Sequence, residues 1–316
     1  MQFFTDPSIT YGTKLMEVFY IVMGLISVYA GVRNFRDDKK DVISRYGTCL
    51  FWVLLGVEMA FGRWIPNVAN GVIIVVMVLP AIFQKVKKNS DPGPTKAESE
   101  ANYQAIGMKI FIPALSIGVF AIIGALIKDL GALTGCSIGV IVGVVILYFY
   151  NRSNKPIVFL NDSERLLSAM GALCMLPMLL ASLGAIFTKA GVGDVIADLV
   201  GRVIPQGNVT IGIIVFALGM MLFTMIMGNA FAAITVMTVG IGAPFVLAYG
   251  ANPALIGILA LTCGYCGTLL TPMAANFNIV PVAMLEMKDR FGVIKNQILP
   301  ALVMIVVQII YMLIAK

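Results

Sequence analysis

Long apolar runs separated by short polar connectors make up most of this chain. A helix rising about 1.5 Å per residue needs about 20 residues to cross a hydrocarbon layer of roughly 30 Å. On that ruler the crossing candidates are residues 15–32, 47–61, 68–83, 106–127, 132–150, 166–187 and 298–315. The second and third are short, and fit a tilted span or one covered by neighbours. Residues 191–203 read differently, with Asp194, Asp198 and Arg202 set against Val192, Val195, Ile196 and Leu199. That is the pattern of an amphipathic helix at the membrane interface.

Two longer stretches need separate treatment. Residues 209–250 form two apolar arms that meet at Gly228-Asn229-Ala230, the outline of a helical hairpin of re-entrant type. Residues 254–285 would measure roughly 48 Å as one unbroken helix, too long for one ordinary span and too short for two good ones. Thr271-Pro272-Met-Ala-Ala-Asn276-Phe-Asn278 and the later Pro281 supply breakers in its second half, so one crossing with an unwound centre is expected. The predicted fold is all-α and polytopic, with about eight membrane-crossing helices, one re-entrant-type hairpin and one broken helix.

Charge placement orients this arrangement. Connectors at 33–45, 85–96, 152–165 and 288–295 hold fifteen Lys and Arg, and the alternate connectors and chain ends hold six. Basic residues accumulate on the cytoplasmic side, which puts the N-terminus outside and the Lys288 loop inside. A double crossing by 254–285 would reverse the sign at that loop. The first run lacks a small-residue cleavage site and reads as an uncleaved first span. Asn89-Ser-Asp-Pro-Gly-Pro-Thr95 marks the one clearly hydrophilic connector. It divides the chain into a three-span unit (1–84), a linker (85–105) and a transport-type unit (106–316).

Composition narrows the function classes. Apolar residues are 59% and charged residues 12% of the 316, against about 45–50% and about 25% in soluble domains. A soluble enzyme, a disordered chain and a nucleic-acid binder are thereby disfavoured. With no histidine, no convergent carboxylate pair and no P-loop, the chain is not expected to be an enzyme or to hydrolyse ATP, and no cofactor or metal is expected. Cys263-Gly-Tyr-Cys266 has redox spacing but lies in a membrane run without a second pair, and is read as packing, as are Gly264 and Gly267 beside it. Glu58 sits within the second run and is expected to pair with Arg63, while Glu17, Lys109 and Glu286 are placed at span ends, reaching the headgroups.

Residues 203–285 contain no charged side chain. Polar groups there must find protein partners, since lipid offers none. They gather at Gly228-Asn229-Ala230 and at Thr268, Thr271, Asn276 and Asn278. Glycine permits a tight turn, and an amide supplies both donor and acceptor. Helix ends freed by a break offer positive dipole to an anion and carbonyls to a cation. A carboxylate can therefore be held without a buried Lys or Arg. Either feature alone also fits a simple loop or a capped kink; adjacent in a charge-free tract, they favour a binding site.

The segments MGNAFAAITVMTVGIGAPFV and GANPALIGILALTCGYCGTLLTPMAANFNIVP resemble an uncharacterised bacterial membrane family whose members are designated the larger subunit of a two-component 5-oxoproline (pyroglutamate) transporter. The resemblance extends over most of the chain and is most specific across 227–281. More distantly, the layout is similar to the C-terminal repeat of ion transporter superfamily carriers, such as divalent anion/sodium symporters. Their hairpin ends in Ser-Asn-Thr and is followed by a broken helix with Thr-Pro and a later Asn.

The resemblance implies that Gly228, Asn229 and Ala230 stand at the hairpin tip and Thr271, Pro272 and Asn276 in the break, in a multi-pass protein of the bacterial cytoplasmic (inner) membrane. It implies transport of a small carboxylate by alternating access, with Na⁺ or H⁺ symport. Gly228 and Ala230 stand where those carriers have hydroxyl residues, which removes two ligands for Na⁺. Only one hairpin is present, so the resemblance implies a small membrane subunit supplying the other half; a homodimer with two hairpins face to face meets the same need. The alternative function is a scaffold or assembly subunit whose partner carries the substrate site.

Overall fold

A computed structural model describes residues 2–90, 93–202, 207–285 and 287–315. Glu286, expected at a span end, lies outside the described residues. The chain divides into two compact units, Met1–Gly171 and Ala172–Lys316, so the 85–105 linker lies within the first. No strand occurs among the described residues.

The first unit comprises α1 (Gln2–Thr5), α2 (Tyr11–Phe35), α3 (Val42–Phe61), α4 (Asn67–Ile82), α5 (Lys96–Ile106), α6 (Phe111–Leu126), α7 (Ala132–Tyr150) and α8 (Pro156–Met170). Small residues set its two tightest pairings, as is usual where lipid leaves no hydrophobic drive between helices. A Cβ on Gly24 of α2 would lie 2.5 Å from the carbonyl oxygen of Gly56 in α3, and one on Gly56 would meet Gly24 equally closely. The row Gly135, Gly139, Gly143 does the same for α7, with Gly135 against Phe120 and Gly139 against Ile117 of α6. A capping box starts α5 within the linker: Thr95 accepts from the Glu98 backbone while Glu98 bonds back to Thr95.

The second unit comprises α9 (Leu176–Lys189), the short amphipathic α10 (Val192–Gly201), α11 (Val209–Met227), α12 (Ala230–Met237), α13 (Ala243–Phe245), α14 (Pro253–Leu269), α15 (Ala275–Asn278), α16 (Val280–Met284) and α17 (Gly292–Ile314). A π-helical turn, Thr238–Gly242, joins α12 to α13. The two arms fold back on each other: Gly219 faces Met237 and Ile241, and Gly212 faces Phe245. Ile213, Phe216 and Met220 of α11, Ile256, Ala260 and Cys263 of α14, and Ala301, Ile305 and Met312 of α17 form the core. Cys263 and Cys266 are buried free thiols within it.

Among the described residues, eight helical stretches are long and apolar enough to cross a membrane: Tyr11–Phe35, Val42–Phe61, Ala97–Leu126, Ala132–Tyr150, Pro156–Lys189, Val209–Met227, Ala230–Tyr249 and Gly292–Ile314. The protein is thus an all-α, multi-pass membrane protein. The number agrees with expectation but the membership does not. Both hairpin arms reach crossing length, whereas Asn67–Ile82 and the two halves of the 254–285 run fall short of it. The run is interrupted between Leu269 and Ala275, so neither half is a full span.

One expected ion pair is not formed. Arg63 pairs with Glu17, Nε to Oε2 at 2.7 Å, and Glu17 is buried. Glu58 Oε2 is buried without a hydrogen-bond partner among the described residues. Five residues along a helix correspond to about 140° of rotation, which carries Arg63 off the face of Glu58. Its position just past the end of α3 leaves it free to reach α2.

Candidate functional site

The hairpin turn follows from two residue choices. Gly228 ends α11 at φ +71°, the left-handed conformation that glycine alone adopts cheaply, and its N–H donates to Thr224 O at 2.7 Å. Asn229 is extended (φ −145°, ψ 116°) and caps α12: its Oδ1 accepts from the N–H groups of Phe231 (2.9 Å) and Ala232 (3.4 Å). Ala230 is buried against α14, where a Cβ on Gly264 would come within 2.9 Å of its methyl carbon. A Cβ on Gly267 would lie 2.3 Å from Met221 O, so these two glycines let α14 approach the hairpin.

The break packs against that turn. A Cβ on Gly228 would fall 2.6 Å from Met273 O. Thr271 Oγ1 donates to Met225 O at 2.8 Å and accepts from the Met273 N–H at 3.2 Å, stapling the unwound segment to the end of α11. Asn278, with no exposed surface, turns back over the end of α14: its Nδ2 donates to Thr268 O and Thr271 O, both at 2.7 Å. These are carbonyls that the end of the helix leaves without an intrahelical donor. Thr268 itself donates to Tyr265 O at 2.7 Å.

Gly228, Thr268, Thr271 and Asn278 therefore form one linked constellation, with Asn229 and Ala230 at its edge. Pro272 and Asn276 are exposed, and Asn276 has no hydrogen bond to this group. The helix ends expected to face a ligand are internally capped, α12 by Asn229 and α14 by Asn278. What remains unused is a neutral set. Among the described residues, Asn278 Oδ1 and Thr224 Oγ1 are buried without partners and nothing accepts from Asn229 Nδ2. A buried acceptor left unpaired costs about 1–3 kcal/mol, so Asn278 Oδ1 has a standing demand for a donor or a cation. Ile226, Phe231, Met273 and Phe277 leave an exposed apolar face around the turn and the break.

A second buried polar cluster, in the first unit, escaped the sequence reading. Glu164 of α8 is fully buried. Its Oε1 accepts from Asn34 Nδ2 (2.8 Å) and Ser168 Oγ (2.7 Å), and its Oε2 accepts from Asn89 Nδ2 (3.1 Å) and lies 3.7 Å from Arg33 Nε. Lys40 donates to Asn34 Oδ1 and to Lys87 O, and lies 3.7 Å from Asp37. Burial pushes the Lys40 ammonium below the usual lysine range, against the pull of Asp37 and Glu164. A span that begins at Leu166 places Glu164 in a polar connector. The signal present was Asn161, Glu164 and Ser168, spaced on one helix face.

The family described as "Protein of unknown function (DUF979)" matches residues 17–316, and the chain belongs to it. No curated protein and no solved structure matches the chain.

Proposed function

We propose that this member of a family of unknown function is a subunit of a secondary carrier for a small organic anion. The observation that carries the reading is the stapling of the hairpin turn to the broken helix in a charge-free tract, around a buried Asn278 Oδ1 that has no partner. Free polar atoms of both kinds sit there without a competing charge, so a ligand is held by amides and backbone dipoles. Binding would exchange internal caps for ligand contacts: a carboxylate draws on Asn229 Nδ2 and on the N–H groups that Asn229 Oδ1 now occupies. Trading one set of partners for another lets the turn and the break move without a large net cost, which alternating access requires.

The resemblance favours 5-oxoproline, whose lactam N–H is the kind of donor Asn278 Oδ1 lacks. A coupling cation, Na⁺ or H⁺, belongs to the same reading. The exposed Ile226, Phe231, Met273 and Phe277, with Asn276 among them, form a face for a small membrane subunit or a second copy, because lipid cannot satisfy an amide. The bacterial inner membrane is the proposed location. The internal caps support a second reading, a scaffold subunit in which Asn229 and Asn278 serve packing alone and the partner binds substrate.

Uptake by proteoliposomes separates the two. Labelled 5-oxoproline competes with a panel of carboxylates under imposed Na⁺ or H⁺ gradients, with and without a copurifying small subunit. Asn229→Gly keeps most of the cap stability, costing a few tenths of a kcal/mol, but removes the amide. It should abolish uptake at unchanged abundance; wild-type uptake by this variant assigns the turn to packing and favours the scaffold.

A further inference from the structure

An open crevice of about 760 Å³ lies in the first unit between the start of α2 and the α6–α7 connection. Thr10, Thr13, Glu17, Arg63, Lys128 and Asp129 are among its walls. The walls are fixed to each other. The Gly12 N–H donates to Asp129 O at 2.9 Å, and Thr134 Oγ1 donates to Gly12 O at 3.1 Å. A Cβ on Gly12 would sit 2.1 Å from Leu130 O, so only glycine permits this contact. Asp129 is held in the left-handed region at φ +67°.

Arg63 points to a ligand. Its Nε donates to the buried Glu17 at 2.7 Å, and its guanidinium stacks over the Phe3 ring at 4.5 Å. Those contacts fix the plane of the guanidinium and use one of its five N–H groups. The two terminal nitrogens have no partner among the described residues, on a side chain 45% exposed at the crevice wall. A guanidinium anchored through Nε and stacked on an aromatic ring presents a planar fork that matches two oxygens of a carboxylate or phosphate. Lys128 adds positive charge to the crevice lining, and Glu17 and Asp129 balance the total, so selectivity rests on the fork rather than on net charge.

We propose that this crevice binds an oxyanion on the Arg63 fork, either the phosphate of a lipid headgroup or a free carboxylate or phosphate. The site is independent of the hairpin and the break. Phe3, Phe4, Phe61 and Trp64 cluster beside Arg63 with ring centroids 5.2–6.4 Å apart. Aromatic belts of this kind sit at headgroup depth, where lipid phosphates are the concentrated oxyanion.

Trp64 adjoins Arg63 and is partly exposed, whereas Trp52 is fully buried, so the full chain in uncharged detergent reports binding by tryptophan fluorescence. The probes are dihexanoyl phosphatidylglycerol, glycerol phosphate and acetate. A saturable response is expected: to the lipid alone if the headgroup is the ligand, or to the soluble anions as well if free oxyanions bind. Arg63→Lys keeps the charge and the Glu17 partner but loses the fork, and should weaken binding by about tenfold or more. Unaltered binding in Arg63→Lys, or no saturable response to any probe, overturns the proposal. If Arg63→Lys proves unstable, the pair Arg63→Gln/Glu17→Gln, which removes charge and countercharge together, takes its place under the same criterion.

Discussion

Two buried polar clusters, one in each unit, solve the same physical problem in opposite ways. In the first unit a carboxylate, Glu164, is placed where water does not reach and surrounded by Asn34, Ser168, Asn89 and Arg33 until each oxygen has partners. In the second unit the 203–285 tract carries no charge, yet among the described residues the hairpin turn and the broken helix leave Asn278 Oδ1 and Thr224 Oγ1 without partners. A fully satisfied network rigidifies its surroundings; one left short of a donor has room for a ligand. On the proposed function, the charged cluster is scaffold and the uncharged one is site, the reverse of what charge alone would suggest.

The largest effect should come from the satisfied cluster. Glu164→Ala removes the acceptor that Asn34, Asn89 and Ser168 share and the carboxylate beside Arg33, and removing one partner of a buried charged network costs roughly 3–5 kcal/mol. Thermal unfolding of the purified protein should show a drop of many degrees, together with loosening of the 85–90 segment that Asn89 and Lys87 tie down. A stable Glu164→Ala protein with impaired uptake would reverse the assignment, making the carboxylate the functional group and the comparison wrong.

Next comes the contact between turn and break. Gly228→Ala forces an L side chain into the left-handed region, at about 1–2 kcal/mol. It also places a Cβ 2.6 Å from Met273 O, where backbone must give way. Folding should survive with a modest loss of stability, because the core of Phe216, Met220 and Ile256 lies elsewhere. Uptake should fall far more than stability does. Equal losses in both would mean that this contact only supports packing.

These cases show what the sequence could reveal. The break was legible because Pro272, Pro281 and paired asparagines interrupt an apolar run, and Gly-Asn between two apolar arms announces a turn in any context. Which partner each amide takes was not legible. Asn229 and Asn278 cap helix ends instead of facing an open pocket, and that depends on the angle at which the segments meet. Glu164 was hidden because hydropathy ends a span at the first cluster of charge, whereas α8 carries its carboxylate about two turns into the helix. Arg63 chose Glu17 over Glu58 for a reason of azimuth. Distance along the chain ranked Glu58 first, and only the packing of α2 against α3 brings Glu17 within reach.

The smallest expected effect sharpens the contrast through pH. Asp41 caps α3 by accepting from Ser44 and lies near Lys85 and Lys87; the Ser44 hydrogen bonds, with those lysines, hold its carboxyl down at about 2. A carboxylate bound more tightly to its proton in the unfolded chain, near about 3.9, stabilises the fold fully above that value and ceases to do so as pH falls through about 2. Asp41→Asn keeps the cap but not the charge, since asparagine caps about as well. The difference in unfolding temperature between wild type and Asp41→Asn should be constant above pH 5, shrink through pH 3 and vanish near pH 2. The 203–285 tract, having no Asp, Glu, Lys or Arg, should contribute nothing to this window. Its hydrogen bonds at Thr271 and Asn278 depend on no proton, so acid should loosen the first unit while the stapled turn holds. A gap between the two proteins that persisted at pH 2 would show that Asp41 acts through shape rather than charge.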